Sequence, residues 1–397
     1  MPNYLSPGVF MEEVRVAPPI AGVGTSTAAF LGVVNPAATN PGGGAFAMPA
    51  KPDGSGLYTL TALNTPELVT DFEQFKVKFG DFHVANETLA HAVYGFFRNG
   101  GTRCWIVRVT SITDGAANGA VDAALKKLEA IDEVAIVAVP GAITKAVQEL
   151  AIDHCATATK DRVAILDGSS QIATLTPAAI SNATKNSAFA ALYFPWLQVQ
   201  DPIRRGALAE IPPSGHMAGI YARVDEVRGV HKAPANEDVN GASGLKYRVS
   251  KNEQDGLNPA GINCIRELNG GIRVWGARTL GGDANGAEKY ISVRRTLNFI
   301  EESIQEGTQF AVFEPNDQKL WQRLKRSVGA FLEVVWKDGA LFGAAREEAF
   351  YVRCDESINT AAVRDLGRVI IEVGVAIVRP AEFVIFRIEQ GASLPQP

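Results

Sequence analysis

Between residues 25 and 235, short apolar runs alternate with stretches whose apolar positions recur every three or four residues. The runs lie at 25–34, 103–109, 134–139, 162–167 and 190–194, and read as buried strands. The amphipathic stretches lie at 65–79, 87–98, 121–130, 144–157 and 177–185, and read as helices. Strands alternating with helices require crossover connections, so the pattern predicts an α/β fold: a mainly parallel sheet clad by helices. Residues 35–65 are rich in Pro, Gly, Ala, Thr and Asn, follow neither period, and read as a surface insertion.

Residues 233–238 read as a linker, which predicts an α/β domain over 25–235 and a second, α+β domain over 236–372. Two long helices dominate the second domain. The first opens at Ser292 and stacks Val293, Leu297, Ile300 and Ile304 into one stripe. The second follows Asp317, a suitable N-cap, and places Leu320, Trp321, Leu324, Val328, Phe331, Leu332 and Val335 within an arc of about 120°. Lys319, Arg323, Arg326 and Lys337 occupy the opposite side, interrupted mainly by Glu333. Such a stripe is either a solvated helix face or a docking surface for an acidic partner. A strand is expected at 350–355.

The chain ends break the pattern, and residues 1–24 and 373–397 read as arms. In the first arm, the turn signals Ser6-Pro7-Gly8 and Pro18-Pro19 flank a short extended run at 9–16. Near the other end, β-runs at 368–378 and 382–388 are separated by Arg379-Pro380-Ala381. The last run carries Phe383 and Ile385 on one face and Val384, Phe386 and Ile388 on the other. A strand apolar on both faces belongs inside a sheet. Either it docks in its own domain or it is donated to the sheet of another subunit; the pattern alone favours self-docking.

Composition narrows the function. With 46% hydrophobic and 20% charged residues, the 397-residue chain can bury a substantial core. Its net charge of −5 provides no global attraction for nucleic acid. Residues 1–8 do not resemble a signal peptide, and no apolar run approaches the ~18–20 residues that cross a bilayer, so synthesis into a cytoplasm without membrane insertion is expected. Cys104, Cys155, Cys264 and Cys354 form no C-x-x-C pair and read as packed, reduced thiols.

Candidate chemistry is sparse. There is no G-x-x-x-x-G-K-[ST] phosphate loop, and Gly22-Val23-Gly24 lacks the third glycine of a dinucleotide fingerprint, Thr27 standing there. A hydrolase on the α/β domain is the alternative function, resting on Ser26 and on Ser214 with His216 in a proline-flanked loop; neither serine lies in G-x-S-x-G. His83, His91, His154, His216 and His231 show no metal-ligand spacing. No catalytic, cofactor-binding or metal-binding residue is expected.

Several segments are nonetheless recognisable. Tyr4-Leu5-Ser6-Pro7-Gly8-Val9-Phe10-Met11-Glu12-Glu13, then Pro19-Ile20-Ala21-Gly22-Val23-Gly24-Thr25-Ser26-Thr27-Ala28-Ala29-Phe30, resemble the opening of contractile tail sheath proteins. So do His91-Ala92-Val93-Tyr94-Gly95-Phe96-Phe97, Pro213-Ser214-Gly215-His216-Met217-Ala218-Gly219, Gly271-Ile272-Arg273-Val274-Trp275-Gly276-Ala277-Arg278-Thr279-Leu280 and Phe313-Glu314-Pro315-Asn316-Asp317, in the family's order.

The resemblance implies a non-enzymatic structural subunit of a phage tail, R-type bacteriocin or extracellular injection system, assembled in the bacterial cytoplasm. Its first domain would be subtilisin-like in fold, without a protease triad. Subunits would stack as six-membered rings around an inner tube and contract to drive that tube through a target envelope. Their partners would be neighbouring copies, the tube, the baseplate and the tail-terminator or cap proteins.

The resemblance also reverses the reading of the arms, making Val9, Phe10, Met11, Val14, Val16, Phe383, Val384, Ile385, Phe386 and Ile388 donated-strand residues. It implies a tube contact through Lys319, Arg323, Arg326 and Lys337, and hinges at Pro19, Gly22, Gly24, Gly374 and Pro380.

Overall fold

The computed structural model describes residues 19–385 apart from 42, 114, 184 and 205. In chain order the first elements are β1 (Ala28–Val33), β2 (Pro66–Val69), α1 (Phe72–Phe79), α2 (Glu87–Arg98), β3 (Cys104–Val109) and α3 (Gly115–Leu128). Next come β4 (Ile136–Ala138), α4 (Lys145–Asp153), β5 (Val163–Asp167), α5 (Pro177–Ile180), β6 (Ala190–Phe194), β7 (Leu197–Gln200) and β8 (Leu208–Ile211). Then follow α6 (Ser214–Arg228), β9 (Glu237–Asp238), β10 (Ala242–Leu245), α7 (Lys251–Leu257), β11 (Ile262–Leu268) and β12 (Gly271–Val274). The last are α8 (Ile291–Gly307), α9 (Gln318–Lys337), α10 (Arg346–Ala349), β13 (Phe350–Arg353), α11 (Ala361–Asp365) and β14 (Glu372–Val375).

Two compact units emerge among the described residues, 23–299 with 377–385 and 19–22 with 300–376. The larger is built on a nine-stranded mixed sheet in the order β2-β3-β1-β4-β5-β6-β11-β12-β9. Six neighbouring strands, β3 to β11, run parallel, and antiparallel strands close both edges. Both faces are covered. Ala28 and Phe30 of β1 enter one core with residues of α1, α2 and α6, whereas Ala29 and Leu31 enter another with residues of α3 and α4. This two-sided burial is why the parallel strands read as unbroken apolar runs.

Three sequence expectations are corrected in this unit. The helix expected at 65–79 begins only at Phe72; Pro66–Val69 is an edge strand paired with β3, where an initial proline can be tolerated. Ser214-Gly215-His216 is not a loop but the first turn of α6. Residues 233–238 do not separate units, because β9 pairs with β12 and β11 pairs in parallel with β6, carrying the sheet beyond the boundary expected at 235/236.

Helices α2 and α6 pack closely because α6 offers glycine toward α2. A Cβ on Gly215 would lie 2.3 Å from the carbonyl oxygen of Ala92, and one on Gly219 would lie 2.3 Å from that of Phe96. The insertion at 35–65 is tied down by Asn40 Oδ1, which accepts the Val84 N–H at 3.1 Å, and by Phe46, whose ring lies edge-on to His83.

In the smaller unit α9 behaves as its pattern predicts. All seven residues of the apolar arc are buried, and Asp317 caps the helix by accepting the Leu320 N–H at 2.9 Å. The helix lies against β13, which pairs antiparallel with β14. Asn316 braces the entry turn, accepting from Trp321 Nε1 and donating to the Arg368 carbonyl, both at 2.9 Å.

Candidate assembly surfaces

The basic stripe of α9 divides by environment. Lys319 and Arg326 are exposed and have no ion-pair partner among the described residues. Arg323 is half-buried, its guanidinium stacked 4.4 Å over the Phe310 ring with Nε unbonded. Lys337 reaches the solvent but binds Glu333 at 2.8 Å. A positive face therefore exists on the side opposite the core, concentrated at the first two turns.

The turn before α9 carries a feature that periodicity does not disclose. Phe313 is fully exposed, at 102%, and holds a left-handed φ of 67°. A bulky residue in that region is strained, and here no packing of the side chain offsets it.

Beyond β14, the C-terminal arm is gripped at Glu382. Glu382 Oε1 accepts from Asn258 Nδ2 at 2.6 Å and from Arg278 Nε at 2.9 Å; Oε2 accepts from Arg278 Nη2 and the Tyr290 hydroxyl, both at 2.8 Å. Burial alone would raise this carboxyl's pKa, but the bonds from Arg278, Asn258 and Tyr290 win and lower it. The Tyr290 phenol is pushed up to about 12, by burial and then by Glu382. Beyond this point Phe383, Val384 and Ile385 are 69%, 71% and 80% exposed. Val9, Phe10, Met11, Val14, Val16, Phe386 and Ile388 lie outside the described residues.

Among the expected hinges, Pro19, Gly22 and Gly24 flank the first passage of the chain between units, at 22/23. Pro380 follows the last passage, at 376/377. Gly374 sits within β14 opposite Tyr351, and a Cβ there would lie 2.1 Å from the Tyr351 ring. Its lack of a side chain leaves room for the Tyr351 ring across the β13–β14 pair.

Of the hydrolase residues, Ser214 and His216 are buried, whereas Ser26 is partly exposed. Ser214 is fully buried; its hydroxyl donates to Asp167 Oδ2 and its N–H to Oδ1, each at 2.8 Å, while the Gly141 N–H reaches Oδ2 at 2.9 Å. Asp167 thus serves the start of α6 as a cap serves a helix. Burial pushes its carboxyl up to about 6, and the three hydrogen bonds only partly offset this. His216 is buried against Gly95, with Nδ1 unbonded, and burial drives it down to about 3. It is neutral and shut away.

One grouping that the sequence search missed consists of Glu87 and His91, one turn apart on α2, with Asp201 after β7; their ligand atoms lie within 4.8 Å of one another. Arg204 already answers their charge, with Nη1 2.8 Å from Glu87 Oε1 and 2.7 Å from Asp201 Oδ2. The group is an ion-pair knot whose cation is a side chain.

Two family models match the chain: the phage tail sheath protein central domain over residues 114–280 and the phage tail sheath C-terminal domain over 283–391. The chain is also similar to the solved helical sheath of the anti-feeding prophage in its contracted state, at 31% identity and a TM-score of 0.75, covering 97% of this chain and 99% of that one. The chain belongs to the phage tail sheath protein family.

This sheath protein is likewise similar to the contracted sheath of the extracellular contractile injection system PVC, at 28% identity and a TM-score of 0.77, with 99% of each chain covered. Among curated proteins it matches a prophage major tail sheath protein of Pseudomonas aeruginosa strain UCBPP-PA14, 28% identical over 57% of each chain. It matches the tail sheath protein of Burkholderia phage BcepMu at 31% identity, over 42% of this chain and 36% of that protein. The sheath protein thus spans about half or less of the length of these curated relatives. These relatives are structural sheath components, and the hydrolase reading gains no support from them. Among the described residues, no helix is long and apolar enough to cross a membrane.

Proposed function

We propose that this protein is the subunit of a contractile sheath, polymerising as stacked six-membered rings around an inner tube and contracting to drive the tube through a target envelope. The observation that carries the reading is its similarity, over 97% and 99% of its length, to two contracted sheaths. The parallel-sheet body would correspond to the family's subtilisin-like domain. Contraction would draw on conformational energy stored in the extended state, so no phosphate loop is required.

The arms supply the tethers. Residues 9–16 and the run from Phe383 onward add as strands to neighbouring copies, and the exposure of Phe383, Val384 and Ile385 supports this. Pro19, Gly22, Gly24 and Pro380 take up the change of angle, near passages of the chain between its units. Lys319, Arg323, Arg326 and Lys337 face an acidic tube surface. Exposed pairs worth about 0.2–1 kcal/mol each are weak singly, and repeated along a tube they hold the extended state yet release together. Assembly takes place in the bacterial cytoplasm with tube, baseplate and tail-terminator or cap proteins. The particle is a virion tail, or a tail-like particle released from the cell.

Electron microscopy of the protein co-expressed with its tube partner tests the reading. Six-fold sheaths around a tube are expected, and only soluble monomers or amorphous material would refute it. Reversing Lys319, Arg323 and Arg326 to Glu is expected to deplete tube-filled extended sheaths. An unchanged count would place the tube contact elsewhere.

A further inference from the structure

The C-terminal segment changes character within one residue. Glu382 is the acceptor of four hydrogen bonds, whereas Phe383 is 69% exposed. The groups that hold Glu382 come from three places in the larger unit: Asn258 after α7, Arg278 after β12 and Tyr290 just before α8.

Arg278 is fixed independently of the arm. Its backbone N–H donates to Asn263 Oδ1 at 2.7 Å, its carbonyl accepts from Asn263 Nδ2 at 2.8 Å, and Nη1 reaches Asp283 Oδ1 at 3.0 Å. The residue is 3% exposed. Nε and Nη2 are thereby directed as a fork at one carboxylate, the geometry in which arginine binds most selectively. Tyr290 and Asn258 supply the two further donors. A preorganised donor set of this kind recognises a carboxylate at a set distance, and a neutral amide in its place satisfies only part of it.

We propose that Asn258, Arg278 and Tyr290 form a receptor for Glu382 of the same chain, dividing the C-terminal arm into a root held in cis and a donated tip that begins at Phe383. The proposal deepens the strand-donation reading and rests on it. A tip launched from a fixed point searches a smaller volume than one swinging from the end of β14, so its effective concentration at the neighbouring copy is higher. The receptor acts as a positioning site for assembly.

A Cys pair at Pro259 and Ala381, the exposed neighbours of Asn258 and Glu382, in the full-length protein and joined by a short bismaleimide tests the cis assignment with the clamp intact. The expected product is an intrachain link, in free subunits and in assembled sheath alike. Chain-to-chain ladders in the sheath would overturn it, since the receptor would then serve a neighbour's arm. Glu382→Gln and Glu382→Ala provide the second test. Proteolysis of the arm in free subunits should accelerate roughly tenfold, as for loss of a charge-assisted pair, with thermal unfolding of the remainder unchanged. Cleavage no faster than in the parent would overturn the proposal. Truncation after Glu382 separates the two readings. If truncated chains still assemble, strand donation fails, while the cross-link formed in the same truncated chain continues to report on the receptor.

Discussion

Arg295 of α8 grips Asp225 of α6 through two parallel hydrogen bonds, Nη1 to Oδ1 at 2.9 Å and Nη2 to Oδ2 at 2.5 Å. Their side chains are 3% and 5% exposed, and Thr25 Oγ1 completes the carboxylate's shell at 2.6 Å. The guanidinium also covers the Tyr221 ring, whose hydroxyl meets that of Tyr193 at 2.7 Å. Removing either charge strands the other, so Arg295→Met or Asp225→Ala should each cost about 3–5 kcal/mol in urea unfolding, and the double substitution less than their sum. An additive double variant would show that the pair is not coupled.

The α2–α6 crossing depends on the absence of two side chains. Gly215→Ala and Gly219→Ala press a Cβ against backbone that cannot rotate away, and each should destabilise by about 1–3 kcal/mol. Gly119 of α3 meets nothing within 4 Å, so Gly119→Ala should instead stabilise by about 0.5–1 kcal/mol. Equal effects at the three positions would contradict the packing argument.

Asp167 gives stability a pH signature. Its carboxyl titrates near 6 in the folded chain against 3.8 ordinarily, so between these values the folded state keeps a proton that the unfolded state has released. Its contribution is therefore present below about pH 4 and lost as pH rises through about 6, a change on the order of 3 kcal/mol. In chemical unfolding measured from pH 4 to 6.5, Asp167→Asn should remove this slope.

His216 acts in the opposite direction. Its folded value of about 3 lies below the ordinary 6.5, so the unfolded chain takes up a proton that the buried ring refuses. Stability from this group is present above about pH 6.5 and falls away as pH drops towards 3. The acid limb of the stability profile should flatten in His216→Gln; an unchanged limb would show that the ring can be protonated in place.

Phe313 should be dispensable to the fold. Its side chain is fully exposed and its φ is 67°, so Phe313→Asn should leave thermal stability equal or raise it by up to about 1 kcal/mol. A marked loss would mean that the ring packs in solution.

Much of the fold was legible where one element carries its own evidence. The seven apolar positions and the Asp317 cap of α9 needed only helical periodicity and one hydrogen bond. The reading failed where a neighbour decides. Pro66–Val69 is a strand because β3 pairs with it, and Ser214 begins a buried helix because Asp167, 47 residues earlier, accepts its N–H. The stripe on α8 was only half of its story, since Arg294 and Arg295 are buried too, and Arg295 finds its partners, Asp225 and Thr25, far away in sequence.

By itself, then, the sequence determined the α/β alternation, the basic face of α9, the unusual ends and the family resemblance, because periodicity and motif order are local properties of the chain. Tertiary structure alone decided that Glu382 is clamped while Phe383 is exposed, that Arg323 lies on Phe310 while Lys319 reaches the solvent, and that Ser214 serves a helix start. Each of those outcomes depends on a desolvated partner brought from elsewhere in the chain, and spacing along the chain does not encode which distant groups will meet.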